Sequence, residues 1–557
     1  MSGQNRVLAI LLGVLAVLVV AVGGLSTVLL LAGGGDDDAS TGGSGITTGT
    51  SGGASGGGAA ASGVLRLPGT DPVTLDPALA GDAGSAQYIV EVFGGLVTIT
   101  PDLEIVPDIA ESFEVSPDGL QYTFHLRGDA FFHSGRPVTA DDVRYSIERA
   151  ASPELASPLA LPYLGDIVGT RERFFGLAET ISGIEVIDDA TIRFTLDAPK
   201  PYFLAKLTYP TAFVIDRQQV EANPRNWTRQ PNGTGPYRLR EWRLGERIVL
   251  AANDRYHLGA PKVQEVHYLL SGGSALTRFE NGELDVAPIS VNDIERARDP
   301  SSQLNPLYQT SPEFSIFYIA FNTNVPPFDD VNVRRALALA IDRKKVAEVT
   351  FNNMVLTATG IMPPQLPGYT ASDKTYNFDP DAARAALAAS RYGSAEALPP
   401  ITMTEVGGGA QAGIDTQAFV EQWKQELGVT VEIQQTDFAT FLDEQDAGRL
   451  QMFNGGWIMD YPDPEDILDL KFHSESQLND VAYSNAEVDS LLDEARVVRD
   501  PERRIQLYQQ AEEKIVSDAV WIPLYFSLNH SVVAKRVQGW IEPPMVLPRL
   551  RFVEIVE

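Results

Sequence analysis

Short runs in which apolar and polar positions alternate are interleaved along this chain with stretches whose apolar residues recur every three to four positions. The two periodicities together predict an α/β fold. Phe113 and Val115 alternate up to Ser116-Pro117-Asp118-Gly119, which has type I turn order, and Tyr122, Phe124 and Leu126 alternate after it, so a hairpin is expected. Ile192, Phe194 and Leu196 form another alternating strand, broken from Pro199 onward. Gly233-Thr234-Gly235-Pro236-Tyr237 reads as a turn opening a strand, with Arg247 to Ala251 returning; it lacks the lysine and helix of a phosphate loop. Ser315 to Phe321 is a continuous apolar strand, and Trp521 to Phe526 is a strand whose Pro523 implies an edge or a bulge.

Helices are marked by their ends. The apolar run Tyr88, Ile89, Val90, Val92, Phe93 stops at Gly94-Gly95, and Thr139-Ala140-Asp141-Asp142 starts a helix using Val143, Ile147 and Ala150. After Asp330 comes a stripe of Val333, Ala336, Leu337, Ala340 and Ile341, with Arg343, Lys344 and Lys345 expected in its last turn against the negative end of the dipole. Asp379-Pro380 and Asp500-Pro501 are cap-plus-proline starts, and Ser484-Asn485-Ala486-Glu487 reads as a capping box with Ser484 as the cap.

The first residues follow a different pattern. Val7 to Ala32 carries no charge and is long enough to span a ~30 Å hydrocarbon core, so 7–32 is expected to be a transmembrane anchor or uncleaved signal after a cytoplasmic stub, 1–6. Arg6 before it and Asp36 to Asp38 after it place the following chain outside the cytoplasm. Residues 33–63 are nearly all Gly, Ser, Thr, Ala and Asp and predict a flexible linker. Its two G-x-S-x-G matches lack the strand and helix of a nucleophile elbow.

Charge narrows the partners. With 43 basic and 74 acidic residues in 557, the net charge of -31 opposes nucleic-acid binding and favours cationic or zwitterionic ligands. The chain has no cysteine, which removes disulfides, thiolate metal sites and an acylated N-terminal cysteine; with six scattered histidines, no metal or cofactor is expected.

One stretch, Gly455 to Asp466, concentrates the candidate chemistry. Gly455 and Gly456 offer close backbone approach, Trp457 and Ile458 follow, and Asp460 and Tyr461 sit just before Pro462. Asp463 is explained as a helix cap, with Pro464 at the first helical position and Glu465 and Asp466 at the positive helix end. No cap explains Asp460. A carboxylate among apolar neighbours wants a cation, whereas a carboxylate pair of Asp460 with Asp463 or Glu465 would be the hydrolase alternative.

Five ordered blocks carry a resemblance: VPDIAESFEVSPDGLQYTFHLRGDAFFHSGRPVTADDVRYSIERA from Val106, NGTGPYRLREWRLGERIVLAANDRYH from Asn232, AFNTNVPPFDDVNVRRALALAIDRKKV from Ala320, GGWIMDYPDPEDIL from Gly455 and YSNAEVDSLLDEA from Tyr483. From Val64 to Glu557 the chain resembles the extracytoplasmic solute-binding proteins of ABC transporters, in the dipeptide, oligopeptide and nickel group. The resemblance implies a bilobed clamshell of type II, with two crossing strands and an extra small domain on lobe one. Lobe one would comprise 64–105, 229–312 and 528–557, the extra domain 106–228 and lobe two 313–527. It implies a monomeric, non-catalytic receptor on the outer face of the cell membrane, delivering a small peptide or similar solute to ABC permease subunits. It also implies that Asp460 pairs with a ligand ammonium and that the backbone around Gly455, Gly456 and Trp457 pairs with the ligand as an added strand. Ile458, Tyr461, Asn322, Tyr88 and Gly94 are further contact candidates. The arginines that anchor a ligand carboxylate in some members are replaced here by Gln445 and Asn454, so a non-peptide solute such as an oligosaccharide, or a sensor role, stays open.

Overall fold

The computed structural model describes residues 63–407 and 412–556. The expected stub, membrane segment 7–32 and nearly all of the linker 33–63 lie outside them; among the described residues no helix is long and apolar enough to cross a membrane.

Two four-stranded sheets occupy the N-terminal half. In one, Val64–Pro68 runs parallel to Glu265–Leu269, which pairs antiparallel with Arg247–Ala252 and then Tyr237–Arg243. In the other, Ala110–Val115, Gln121–Leu126, Thr191–Thr195 and Ile184–Asp188 form an antiparallel sheet containing the expected hairpin. Tyr122, Phe124 and Leu126 face its core, as their alternation requires.

Besides two short two-stranded ribbons there is a mixed sheet of eight strands, and its organising element is the long strand Trp521–Val533. The first half of that strand pairs with Ser315–Phe321 and Val355–Thr357, and its second half with Tyr308–Pro312 and Val286–Pro288. It therefore carries both groups of strands on one continuous element. Pro523 is accommodated by a bulge: Phe317 faces Tyr525 while Tyr318 faces Pro523, which skips Leu524.

Two helix boundaries depart from expectation. The helix capped by Asp330 is Val331–Leu339, and Asp342 then starts a fresh turn by accepting from the Lys345 amide at 3.0 Å. Arg343 is consequently buried, donating to the Ala358 carbonyl at 2.7 Å and the Tyr376 carbonyl at 3.0 Å, and does not end the preceding helix. Farther on, Asn485 rather than Ser484 caps Ala486–Val497, because its side chain accepts from the Glu487 and Val488 amides. Asp379 and Asp500 cap their helices as expected.

The largest apolar core is continuous between two distant stretches of chain. Leu159, Tyr163, Leu164 and Tyr209 pack in one cluster with Met459, Tyr461, Ile467 and Leu468, which fixes the end of the Gly455-to-Asp466 stretch against the N-terminal half.

Candidate ligand-binding site

The strand Met452–Ile458 is paired along its whole length with Ser315–Phe321, but with Ile401–Val406 only at Met452 and Phe453. The Met459 amide donates to the Phe314 carbonyl at 2.8 Å, so the alternation of an antiparallel ladder turns the backbone N–H and C=O of Gly456 and Ile458 away from that partner. From Gly455 onward this side of an interior strand is an open edge, and Gly456 is exposed on it.

Neither glycine takes a positive φ, so backbone freedom is not why they are there. Space is the reason. A Cβ on Gly456 would lie 2.8 Å from Cε1 of Phe317, whose ring stacks on Tyr525 at 5.1 Å, and one on Gly455 would lie 3.1 Å from Phe453.

The strand runs into Asp460. Its amide donates to Asp466 Oδ2 at 2.9 Å, an oxygen that also accepts from Trp457 Nε1 at 3.2 Å, and its carboxylate accepts from the Tyr163 hydroxyl. Burial pushes the Asp460 carboxyl up to about 7, partly offset by the Tyr163 hydrogen bond and by Lys471. Asp466 is also raised well above the usual carboxylate range, by burial first and then by Asp460. The ammonium that partly compensates Asp460, Lys471, is held by Asp480 at 2.6 Å and lies 4.9 Å over the Trp457 ring. Asp460 thus makes no ion pair among the described residues, an arrangement that stores affinity for a cation.

Asp463 behaves differently. Its Oδ1 accepts from the Glu465 amide at 2.9 Å, and both oxygens take hydrogen bonds from Arg504 at 2.7 and 2.6 Å. Glu465 stands in the first turn of its helix as expected, and is in addition buried against Lys206 at 2.8 Å. Neither acid is free to share a proton with Asp460, so neither carboxylate pair of the hydrolase alternative is assembled.

Beside the open edge lies a cavity of about 270 Å³ lined by Ile458, Glu313, Gln87, Glu91, Glu542 and Arg549, among others. It adjoins a second of about 330 Å³ that shares Gln87, Tyr268, Asn529, Glu542 and Arg549. The helix Ala83–Val92 therefore borders the site as Tyr88 suggested, but through another face. Tyr88 is buried, donating to the Thr70 carbonyl at 2.7 Å and packing edge-on to Tyr268.

Three other candidates are also committed within the fold. Asn322 is buried and donates to the Gly448 and Leu450 carbonyls at 3.0 and 3.2 Å. Tyr461 is buried and donates to Glu465. Gly94 is enclosed where a Cβ would lie 2.6 Å from Asp108 Oδ2. Gln445 and Asn454 likewise spend their amides on Asp480 and on Asp415 with Thr416.

The residues that sequence reasoning missed are Tyr163, Lys206, Glu91 and Glu313. Glu91 had a signal, a lone acid inside the apolar run from Tyr88 to Phe93; Tyr163 and Lys206 had none, because their roles arise from contacts distant in sequence.

An open strand edge ending at an uncompensated carboxylate, beside a cavity between separate sheets, defines a solute receptor rather than an enzyme. Residues 104–479 match the bacterial extracellular solute-binding proteins, family 5, middle region, and the chain belongs to this family of ABC-transporter receptors. It is 31% identical to the probable deoxycholate-binding periplasmic protein YgiS of Escherichia coli K12, over 82% of this chain and 86% of that one. It is 30% identical to the periplasmic oligopeptide-binding protein OppA of the same organism, over 86% and 89%. Among solved structures, the murein tripeptide binding protein MppA of Escherichia coli superposes with a TM-score of 0.80 at 28% identity, covering 89% of this chain and 99% of that one. The unliganded open form of MppA superposes with a TM-score of 0.65 at 27% identity, covering 89% and 98%.

Proposed function

We propose that this chain binds a peptide-like ligand by its amino end and backbone and delivers it to an ABC importer. The observation that carries the reading is the unpaired edge at Gly456 and Ile458 running directly into Asp460. Edge pairing recognises a peptide backbone without regard to sequence, and the carboxylate sets the register by taking the α-ammonium. Gly455, Trp457 and Ile458 frame that edge, while Tyr461, Asn322, Tyr88 and Gly94 act as supports rather than contacts.

The same strands support the clamshell reading. Lobe one comprises 64–105, 229–312 and 528–557, the extra domain 106–228 and lobe two 313–527, with Tyr308–Pro312 and Trp521–Val533 as the crossing hinge segments. Greater similarity to the first MppA structure than to its unliganded open form supports a closed arrangement here. Residues 7–32 tether the receptor, as a monomer, to the outer face of the cell membrane through the linker 33–63.

A bile-acid ligand, suggested by the relative named for deoxycholate, is disfavoured by the carboxylates around the cavity, which would repel an anionic steroid. The test is calorimetric titration with tri-alanine, N-acetyl-tri-alanine and deoxycholate. Tri-alanine is expected to bind, acetylation to weaken it at least tenfold and Asp460→Asn to abolish that difference. Equal affinity for the free and acetylated peptides would sink the role of Asp460, and binding of deoxycholate alone would sink the peptide reading.

A further inference from the structure

Two carboxylates in the cavity beside Ile458 have no cation of their own. Glu91 is 1% exposed; its Oε1 accepts from the Arg549 and Leu550 amides at 2.8 and 2.9 Å, while Oε2 is enclosed without a hydrogen-bond partner. Glu313 also lines the cavity and makes no ion pair among the described residues. Arg549, which supplies the one cation among the described lining residues, is already occupied. Its guanidinium holds Glu542 at 2.8 Å and the Ile541 carbonyl at 3.1 Å, and packs on Trp540 at 4.5 Å. The remaining lining is apolar or neutral, so the cavity is acidic by two uncompensated groups.

Resting on the peptide reading above, we infer that Glu91 and Glu313 select ligands carrying a basic side chain, with the lysine ammonium or arginine guanidinium seated in the cavity beside Ile458. An aliphatic side chain would leave two buried carboxylates unpaired, and an acidic one would add a third. A basic one supplies the missing donor to Glu91 Oε2 and a counter-charge to Glu313 within the same cavity. The two carboxyls carry the corresponding deficit. Burial pushes Glu91 up to about 7 against the backbone amides of Leu550 and Arg549 and the charges of Arg549 and Arg551, and Glu313 is raised by burial, opposed by Ser315 and reinforced by Glu542. Tyr237 and Tyr268 also face Glu91. A seated cation draws the Glu91 carboxyl down from about 7, so binding near pH 7 releases protons.

The experiment titrates the purified protein with tripeptides of alanine in which one position, taken in turn, is lysine, norleucine or glutamate. At one position lysine is expected to bind at least tenfold more tightly than norleucine and to release more protons than norleucine does through Asp460, measured from the buffer dependence of the heat at pH 7. Glu91→Gln, which keeps an oxygen for the Arg549 and Leu550 amides, combined with Glu313→Gln should erase the lysine preference while norleucine affinity stays within twofold. Equal binding of lysine and norleucine at every position overturns the inference and leaves the peptide reading intact. Tighter binding of glutamate also overturns it, assigning the cavity to Arg549. If no tripeptide binds at all, the peptide reading fails and this inference fails with it.

Discussion

Lys206 Nζ lies 2.8 Å from Glu465 Oε1, and both side chains are almost fully buried although they come from opposite halves of the chain. Lys206 also donates to Asp166 at 3.1 Å and to the Pro162 carbonyl at 2.9 Å. Burial alone would lower the lysine, but the Asp166 and Glu465 carboxylates outweigh it and hold it raised. This ammonium clamps the segment beyond Asp460 to the N-terminal half, at the same contact where Tyr163 reaches Asp460. Removing one partner of a buried pair strands the other charges, so Lys206→Met is expected to cost about 3–5 kcal/mol in denaturant unfolding. A loss below about 1 kcal/mol would mean that the carboxylates simply take up protons instead.

Asp460 should give the ligand-free protein an unusual pH response. Its folded pKa, about 7, lies above the unfolded value of about 3.9, so between those limits the folded state holds a proton that the unfolded state releases. The cost of the buried charge is fully present above pH 7 and vanishes below pH 4. Asp460→Asn keeps an acceptor for Tyr163 and removes that cost, so the variant should melt higher than the parent at pH 8 and level with it at pH 4. Calorimetric melting at the two pH values checks this, and an equal shift at both would refute it.

Gly456 is predicted to be intolerant of any side chain. Its Cβ would meet Phe317 at 2.8 Å, and moving that ring breaks its stack on Tyr525. Gly456→Ala should cost about 1–3 kcal/mol through overpacking and weaken ligand binding by crowding the open edge. Pairing it with Phe317→Leu, which makes room, should recover stability but not affinity.

Asp463 is expected to matter for stability only. Asp463→Ala strands Arg504, whose guanidinium is mostly buried and also packs 5.0 Å from the Tyr508 ring, and should cost about 3 kcal/mol. The ligand dissociation constant should stay within twofold. A tenfold change would return Asp463 to the binding site.

Much of the fold was legible because local rules govern it. The hairpin at Ser116 to Gly119, the strand Ser315–Phe321 and the caps at Asp330, Asp379 and Asp500 rest on alternation and on side chains that satisfy nearby amides. Local rules also explain the misses. Ser484 and Asn485 are both competent caps, and only backbone geometry selects Asn485; Arg343 looks like a helix end until Asp342 is seen to restart the helix.

For the site, the sequence alone determined that Asp460 is a carboxylate without a local task and that Asp463 has one. It also determined the acidic net charge and the family, since ordered motifs persist whatever the packing. Only the tertiary structure decided that the glycines make room for Phe317 and Phe453, and that the edge beyond Phe453 is open. It alone showed that Tyr88, Asn322, Tyr461 and Gly94 are used inside the framework, and that Glu91 and Glu313 share a cavity with Ile458. The reason is physical: caps and periodicities act over a few residues, whereas burial, unpaired charge and open edges are set by which distant segments come to lie side by side.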